Sequence, residues 1–336
     1  MTGVRVRWSE VALMLLSAAL VAHPFSPVWA DDTEPAKPRL ELSLKSWLFT
    51  NGETKWSHNA SGLDPALGNP TSKLTYKDNN SHILELGGKF NIDRRLFVRV
   101  DGGFSVAFNR GTLTDNDYTS VGGQHLFSQT TSNITGSGTQ YVNADVGYRL
   151  LDYPGHRGNL DVFIGYQYWR TKYEASGVTQ VVCTPSGIPG IACNPTGTVS
   201  NQGQVVITNT TQWNSLRVGL QTEYRLTRRF SVEGKVAFIP ASYLQNDDIH
   251  HLRGDLQQNP SFYMSGFGIG ADVEAGARYM IYRGWFLNAG YRFWWNRVVG
   301  DGNWKVYPVG APSASAPLTE FQTMRYGVTL GLSHTF

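Results

Sequence analysis

The chain has 336 residues, of which 41% are hydrophobic and only 16% charged, and its formal net charge is +3. So small and scattered a positive excess argues against nucleic-acid binding. After Ala22 no apolar run is long enough for a membrane helix, whereas 36 glycines and an aromatic content of 12% are typical of membrane β-strands. The length would permit two soluble domains, but one barrel accounts for all of it.

Residues 1–30 have the layout of a secretory signal peptide. A pair of arginines precedes a short apolar stretch, and small residues ending at Ala30 form a cleavage site. The alternative is an uncleaved membrane anchor, but the apolar stretch is too short to span a bilayer comfortably. We therefore expect export to the bacterial outer membrane, with a signal peptide at 1–30 and a β-barrel with long extracellular loops at 31–336.

Alternation of apolar and polar residues with a period of two recurs along the chain and predicts β-strands. In the strand that begins at Leu96, apolar or small residues at even positions alternate with polar ones such as Arg99 and Asp101. One face can therefore meet lipid while the other lines a polar lumen. The last segment alternates up to Phe336, a terminal aromatic residue that resembles the assembly signal of bacterial outer-membrane proteins. A soluble β-sandwich would also alternate, but the inward residues are too often charged for a shared apolar core.

The spacing of turns predicts the number and orientation of the strands. Four short turns between five long polar stretches give roughly ten strands, with the short turns facing the periplasm and the long loops outside. The short turns lie at 91–94, 152–155, 226–228 and 282–284, and the long stretches at 51–81, 109–138, 171–212, 240–261 and 297–320. The predicted fold is all-β, a transmembrane antiparallel up-and-down β-barrel.

Cys183 and Cys193 flank a loop rich in proline and glycine. Export favours a disulfide between them, which would stabilise the loop by roughly 2–3 kcal/mol in the chain-entropy model. Two cysteines without a nearby histidine are too few ligands for a metal site.

Two polar clusters in the long stretches could carry chemistry. Each contains a pair two residues apart, Asp115 with Asp117 and Asp248 with His250. On an extended strand this spacing puts both side chains of a pair on one face. Asp248 could fix the tautomer of His250, which would take a proton from a water, while the paired carboxylates would share a proton or polarise a carbonyl.

Other interpretations of these residues remain open. They could be solvated loop residues, since Asp, Asn and His are common in loops, or ligands of a divalent metal. The alternation that starts at Phe230 would also turn Asp248 and His250 toward lipid. A one-residue bulge at residues 239–240 would bring both side chains inward.

At these residues the chain resembles the omptin family of outer-membrane proteases. The similarity runs from about Leu40 to Phe336, and it is carried by four segments. They are residues 72–76, 111–118, 165–170 and 246–250.

The resemblance implies a ten-stranded barrel that rises above the membrane, with an active-site groove at its outer rim. It implies a water nucleophile activated by His250, which Asp248 orients, with Asp115 and Asp117 across the groove and Asp115 helping to hold the water. The family cuts polypeptides next to basic residues, without a metal, and requires lipopolysaccharide. We therefore expect a monomer with outer-membrane lipid, lipopolysaccharide and polypeptide as partners.

The chain departs from the family pattern at residues expected to bind substrate or lipid. Asn246 and Trp56 stand where the family has the acids that select basic substrates. Tyr166 and Arg170 resemble part of the lipopolysaccharide contact set, although Tyr168 replaces an expected acid. An equally weighted interpretation of Tyr166 is a residue of the interfacial aromatic girdle.

The leading hypothesis is therefore an omptin-like endopeptidase that uses an Asp-His-activated water. The second is a non-enzymatic surface barrel, an adhesin or structural protein that keeps the fold. A third is a lipid A hydrolase on a similar barrel. A diffusive porin is disfavoured, because roughly ten strands leave little channel once side chains fill the lumen.

Overall fold

The computed structural model describes residues 39–336, and the predicted signal peptide at 1–30 lies outside them. Within this range the chain forms eleven β-strands and one turn of 3-10 helix at Pro154–His156. The strands are β1 (Leu40–His58), β2 (Leu67–Asn91), β3 (Leu96–Thr119), β4 (His125–Asp152), β5 (Gly158–Cys183), β6 (Val199–Arg225), β7 (Phe230–His250), β8 (Phe262–Tyr282), β9 (Trp285–Val298), β10 (Gly302–Val306) and β11 (Ala314–Thr335).

The strands form a closed antiparallel barrel. From β1 to β8 each strand pairs with the next along the chain, and β11 returns to pair with β1. The short strand β10 continues the line of β9, since both pair with β8 on one side and β11 on the other. The barrel therefore has ten strand positions among the described residues, as the spacing of turns predicts.

Among residues 39–336 no helix is both long enough and apolar enough to cross a membrane.

The four predicted short turns are present at one end of the barrel, but the five long polar stretches are mostly strand. The segments between strands toward the other end are confined to 59–66, 120–124, 184–198, 251–261, 299–301 and 307–313. A membrane strand needs only about 9–11 residues, whereas β4 has 28. The strands thus continue well beyond the bilayer, and their pairing satisfies the backbone polar groups there.

An exposed apolar belt surrounds the barrel near the short turns. Leu86, Phe104, Val142, Ile164 and Phe238 all point outward and lie within ten residues of a short turn. Such a belt is the lipid-facing surface of a membrane barrel, so this end of the barrel lies in the bilayer. The long-loop end projects beyond it.

Inside the belt the lumen is lined by paired charges, as the alternation predicts. Arg217 makes a bidentate contact with Asp145, through Nε and Nη2 at 2.8 Å each, and its Nη1 lies 3.1 Å from Asp272. Lys235 adds a second cation 2.9 Å from Asp145. Buried charges of this kind are tolerated because each has a partner and further hydrogen bonds.

Above the charged layer the lumen differs from the predicted polar interior, because it is packed with buried aromatic side chains. Edge-to-face contacts connect neighbouring rings, with centroids 5.1 Å apart for Trp47 and Trp294 and 4.7 Å apart for Tyr141 and Trp294. Outside the bilayer no lipid surrounds the barrel, so burial of these rings supplies the apolar core that holds the walls together. The aromatic members of this core are Trp47, Trp56, Tyr76, Tyr141, Trp169, Tyr173, Trp213, Phe262, Trp294, Trp304 and Phe321.

Replacing Arg217 by leucine is expected to destabilise the barrel by about 3–5 kcal/mol, the usual cost of removing one partner of a buried ion pair. Asp145 would keep Lys235, but Asp272 would lose the 3.1 Å contact with its guanidinium partner. Urea unfolding in lipid vesicles measures the change. Arg228→Leu, at an exposed turn residue, serves as the control and should lie within about 0.5 kcal/mol of wild type. Equal losses in both variants would contradict the role of the pair.

Candidate functional site

A β-bulge in β7 directs Asp248 and His250 into the barrel. The register between β7 and β8 shifts by one residue between Ile239 and Ser242, and the β6–β7 register shifts at the same place. The bulge needed to turn these side chains inward is therefore present, centred on Pro240, which has no partner on either neighbouring strand. Beyond it, Asp248 is fully buried and His250 is mostly buried, so neither side chain faces outward.

Asp248 holds the imidazole of His250 and is itself held by two donors. His250 Nε2 lies 3.2 Å from Oδ2 of Asp248. Asn209 Nδ2 donates to Oδ1 at 3.2 Å, and the hydroxyl of Tyr76 donates to the same oxygen at 3.4 Å. Because a carboxylate only accepts, the Nε2 proton lies on this bond and Nδ1 keeps a lone pair.

The backbone and one face of His250 are also constrained. Its amide N donates to Oγ of Ser261 at 3.1 Å. The ring of Phe262 meets the imidazole edge-on, with centroids 4.9 Å apart. The imidazole is thus positioned before any ligand binds, which a general base requires.

Asp115 and Asp117 lie on β3, opposite Leu74 and Ser72 of β2. The hydroxyl of Ser72 donates to Oδ1 of Asp117 at 2.6 Å. By contrast, Oδ1 of Asp115 is shielded from solvent and has no hydrogen-bond partner among the described residues. Burial, together with the charges of Asp117 and Asp248, raises the pKa of Asp115 well above its usual range. Burial also raises the pKa of Asp117, against the opposing effects of the Ser72 hydrogen bond and His250.

Asp115 and His250 line the same cavity of about 110 Å³. A water molecule takes up about 30 Å³ in the liquid, so the cavity has room for water. One member of each pair predicted from spacing therefore lines a common space that can hold water.

Several residues around the site were not predicted from the alternation and spacing within individual strands. They include Tyr76, Asn209 and Ser72, which bond to the predicted carboxylates. His58 is another, with its ring stacked on Trp304 at a centroid distance of 4.0 Å. Burial and the neighbouring His250 lower the pKa of His58 to about 3, so it stays neutral at physiological pH. Ser72 and Tyr76 lie in the segment 72–76 that carries the family resemblance, whereas no local signal marks Asn209 or His58. Only the register of distant strands brings these residues together.

The two residues that replace the expected acids are both buried. Asn246 belongs to a neutral amide network in which its Nδ2 donates to Oδ1 of Asn209 at 3.0 Å and to Oγ1 of Thr211 at 2.9 Å. Asn209 in turn donates to Asp248, so Asn246 supports the Asp–His pair indirectly. Trp56 is part of the aromatic core and is 1% exposed.

Tyr166 and Arg170 lie on the same outward face of β5, since even positions of this strand point out. Tyr166 is exposed near the upper limit of the apolar belt, and its hydroxyl donates to Oδ1 of Asn214 at 2.6 Å. The side chain of Tyr168 donates to Oε1 of Gln212 at 3.1 Å on the same face. Together they form a polar, aromatic strip just above the lipid-facing surface.

Cys183 and Cys193 are joined by a disulfide, with Cα atoms 5.7 Å apart, at the base of the segment 184–198. Elsewhere, within the described range 39–336, no three His, Cys, Asp or Glu side chains lie close enough together to hold a metal ion.

Replacing Asp115 by asparagine is expected to stabilise the protein at neutral pH. The raised pKa means that the folded chain holds this proton more tightly than the unfolded chain does. Ionisation therefore costs stability as the pH rises above about 4, the ordinary pKa of aspartate, and the cost grows until the folded-state pKa is reached. Asp115→Asn should raise the free energy of unfolding by about 1–3 kcal/mol near pH 7, which is the cost of one unsatisfied buried polar group. Below about pH 3 it should leave the free energy of unfolding unchanged.

Urea unfolding at several pH values measures this difference. Asp301→Asn, at an exposed residue, is the control and should change little at any pH. A gain from Asp115→Asn that persisted undiminished at acid pH would show that the charge of Asp115 is not its cause.

The closed antiparallel barrel, its apolar belt and its short turns at one end define the class of bacterial outer-membrane β-barrel proteins. A family model described as Pom, Protochlamydia outer membrane protein, matches residues 49–336, and the chain belongs to this family. The protein is thus located in the bacterial outer membrane, where it contacts lipid.

Two solved structures are similar to this chain. The outer membrane protease OmpT from Escherichia coli superposes with a TM-score of 0.72 at 17% identity, covering 91% of this chain and 99% of that one. The translocator domain of the autotransporter NalP from Neisseria meningitidis has a TM-score of 0.35 at 9% identity, covering 98% and 95%. The first likeness supports the barrel fold, and the second is too weak to carry an argument. A comparison with curated protein sequences gave no match.

Proposed function

We propose that this protein is an omptin-like endopeptidase of the outer membrane, which hydrolyses polypeptides with a water activated by His250. The observation that carries the proposal is the shared cavity, in which Asp115 meets the imidazole that Asp248 holds. The OmpT-like fold adds support at the level of architecture.

In the proposed reaction, Nδ1 of His250 takes a proton from a water that Asp115 helps to hold. The water oxygen forms a bond to the carbonyl carbon, and the resulting imidazolium is stabilised by Asp248, 3.2 Å away. Asp115 and Asp117 are expected to share a proton, because burial and mutual repulsion disfavour two charges. The protonated carboxyl donates to the carbonyl oxygen as negative charge develops there.

Collapse of the tetrahedral intermediate then breaks the carbon–nitrogen bond. The proton that His250 took from the water passes to the leaving amine, and the new carboxyl group keeps the water oxygen. His250 returns to its neutral form with the Nε2 bond to Asp248 intact. The cycle needs no oxidant, reductant or covalent intermediate.

Replacing His250 by asparagine is expected to lower cleavage of an unstructured polypeptide by about 10²–10⁴-fold, the usual contribution of a general base. The measurement uses full-length protein refolded with lipopolysaccharide. His251→Asn is a matched control, because the adjacent His251 bonds Thr208 at 2.9 Å and does not line the cavity. This control should retain most of the activity.

Two other outcomes would contradict the proposal. Cleavage by wild type that His250→Asn does not diminish would assign the activity to another source. No cleavage by wild type at all would favour the non-enzymatic surface barrel.

We also propose that lipopolysaccharide binds the outward strip at Tyr166 and Arg170 and is required for activity. The strip lies just above the apolar belt, where the headgroups of outer-leaflet lipid are located. A guanidinium at this level suits recognition of a lipid phosphate.

Replacing Arg170 by alanine is expected to raise the lipopolysaccharide concentration for half-maximal activity by about two- to fivefold, in line with an exposed charge contact. Titration of refolded protein with lipopolysaccharide gives this value. Arg225→Ala, at an exposed arginine beside a short turn on the opposite end, should leave it unchanged. A similar shift in both variants would point to a general charge effect.

A further inference from the structure

The cavity shared by Asp115 and His250 has a second feature, an aliphatic wall. Its lining crosses five neighbouring strands, from β3 through β4, β5 and β6 to β7. Five of the lining side chains are aliphatic and two carry hydroxyls. The aliphatic ones are Leu113, Val178, Val206, Ile207 and Leu252.

The lining of this cavity disfavours a basic ligand. Apart from Asp115 itself, no acid lines it. Arg253 also belongs to the lining, and its guanidinium makes a bidentate pair with Asp255, at 2.7 and 2.6 Å. A lysine or arginine side chain entering here would lose hydration against apolar walls.

The two positions at which the omptin family has acids that select basic substrates are also unsuitable for binding a basic side chain. Asn246 is neutral, and its side-chain amide is occupied by Asn209 and Thr211. Trp56 is packed into the aromatic core. Neither side chain can pair with an incoming cation.

We propose that this cavity binds an aliphatic side chain of the substrate, of valine or leucine size, next to the bond that is cleaved. The proposal rests on the function proposed above. Because Asp115 and His250 are part of the same wall, a side chain in the cavity must belong to a residue beside the reacting carbonyl. An apolar cavity of about 150 Å³ can hold benzene, so a cavity of about 110 Å³ suits a smaller, aliphatic group.

A library of unstructured peptides with one varied position tests the preference. Wild type is expected to cleave next to valine or leucine at least about tenfold faster than next to arginine or lysine. His250-dependent cleavage that prefers basic residues would overturn this inference while leaving the proposed peptidase in place.

Replacing Val178 by alanine is expected to widen the cavity and shift the preference from valine toward phenylalanine by about tenfold, the lower range for a change of one or two methyl groups. Val181→Ala is the matched control, since Val181 lies on the same strand but is exposed on the outside. The ratio of kcat/KM for the two peptides is the readout. An unchanged ratio in Val178→Ala would contradict the assignment of the cavity.

A binding assay keeps the inference testable if no peptide is cleaved. Asp248→Asn keeps every residue of the cavity lining and removes the acid that supports His250. Fluorescence anisotropy of labelled hexapeptides should show about tenfold tighter binding of the leucine than of the arginine peptide, and Val178→Ala added to Asp248→Asn should reduce this difference. Equal binding of both peptides, or tighter binding of the arginine peptide, would overturn the inference on its own.

Discussion

Pairing of β1 with β11 closes the barrel, and this closure holds every other part of the molecule in its register. Within lipid an unpaired strand edge would leave backbone groups without partners, so only a closed sheet is stable there. Because each strand is hydrogen-bonded to a neighbour on both sides, adjacent strands cannot easily shift their register. Asp115 on β3 and His250 on β7 are therefore held by the sheet so that they line the same cavity.

The bulge at Pro240 is the local adjustment on which the site depends. Proline cannot donate to the ladder, so a bulge is one of the few places in a strand where it is tolerated. One extra residue reverses which face each later side chain takes. Without it, Asp248 and His250 would point outward, and the buried donors Asn209 and Tyr76 would have no carboxylate to meet.

The charged layer and the aromatic core of the lumen stabilise different parts of the barrel. In the bilayer, paired charges around Arg217 fill the interior, because lipid outside already provides an apolar environment for the belt. Beyond the bilayer, the interior carries the aromatic core around Trp294. This core includes Tyr76 and Phe262, which contact Asp248 and His250. Burial at this level raises the pKa of Asp115.

The sequence by itself determined the class of fold, the ten strand positions and the two polar pairs. Alternation with a period of two, short turns and i, i+2 spacing are local properties of the chain, so they can be read without any contact map. Only the tertiary structure decided that Asp115 and His250 share a cavity, that Tyr76 and Asn209 hold Asp248, and that aromatic rings fill the upper lumen. These contacts depend on the register between strands far apart in sequence. A one-residue bulge in one strand moves all its later side chains to the opposite face.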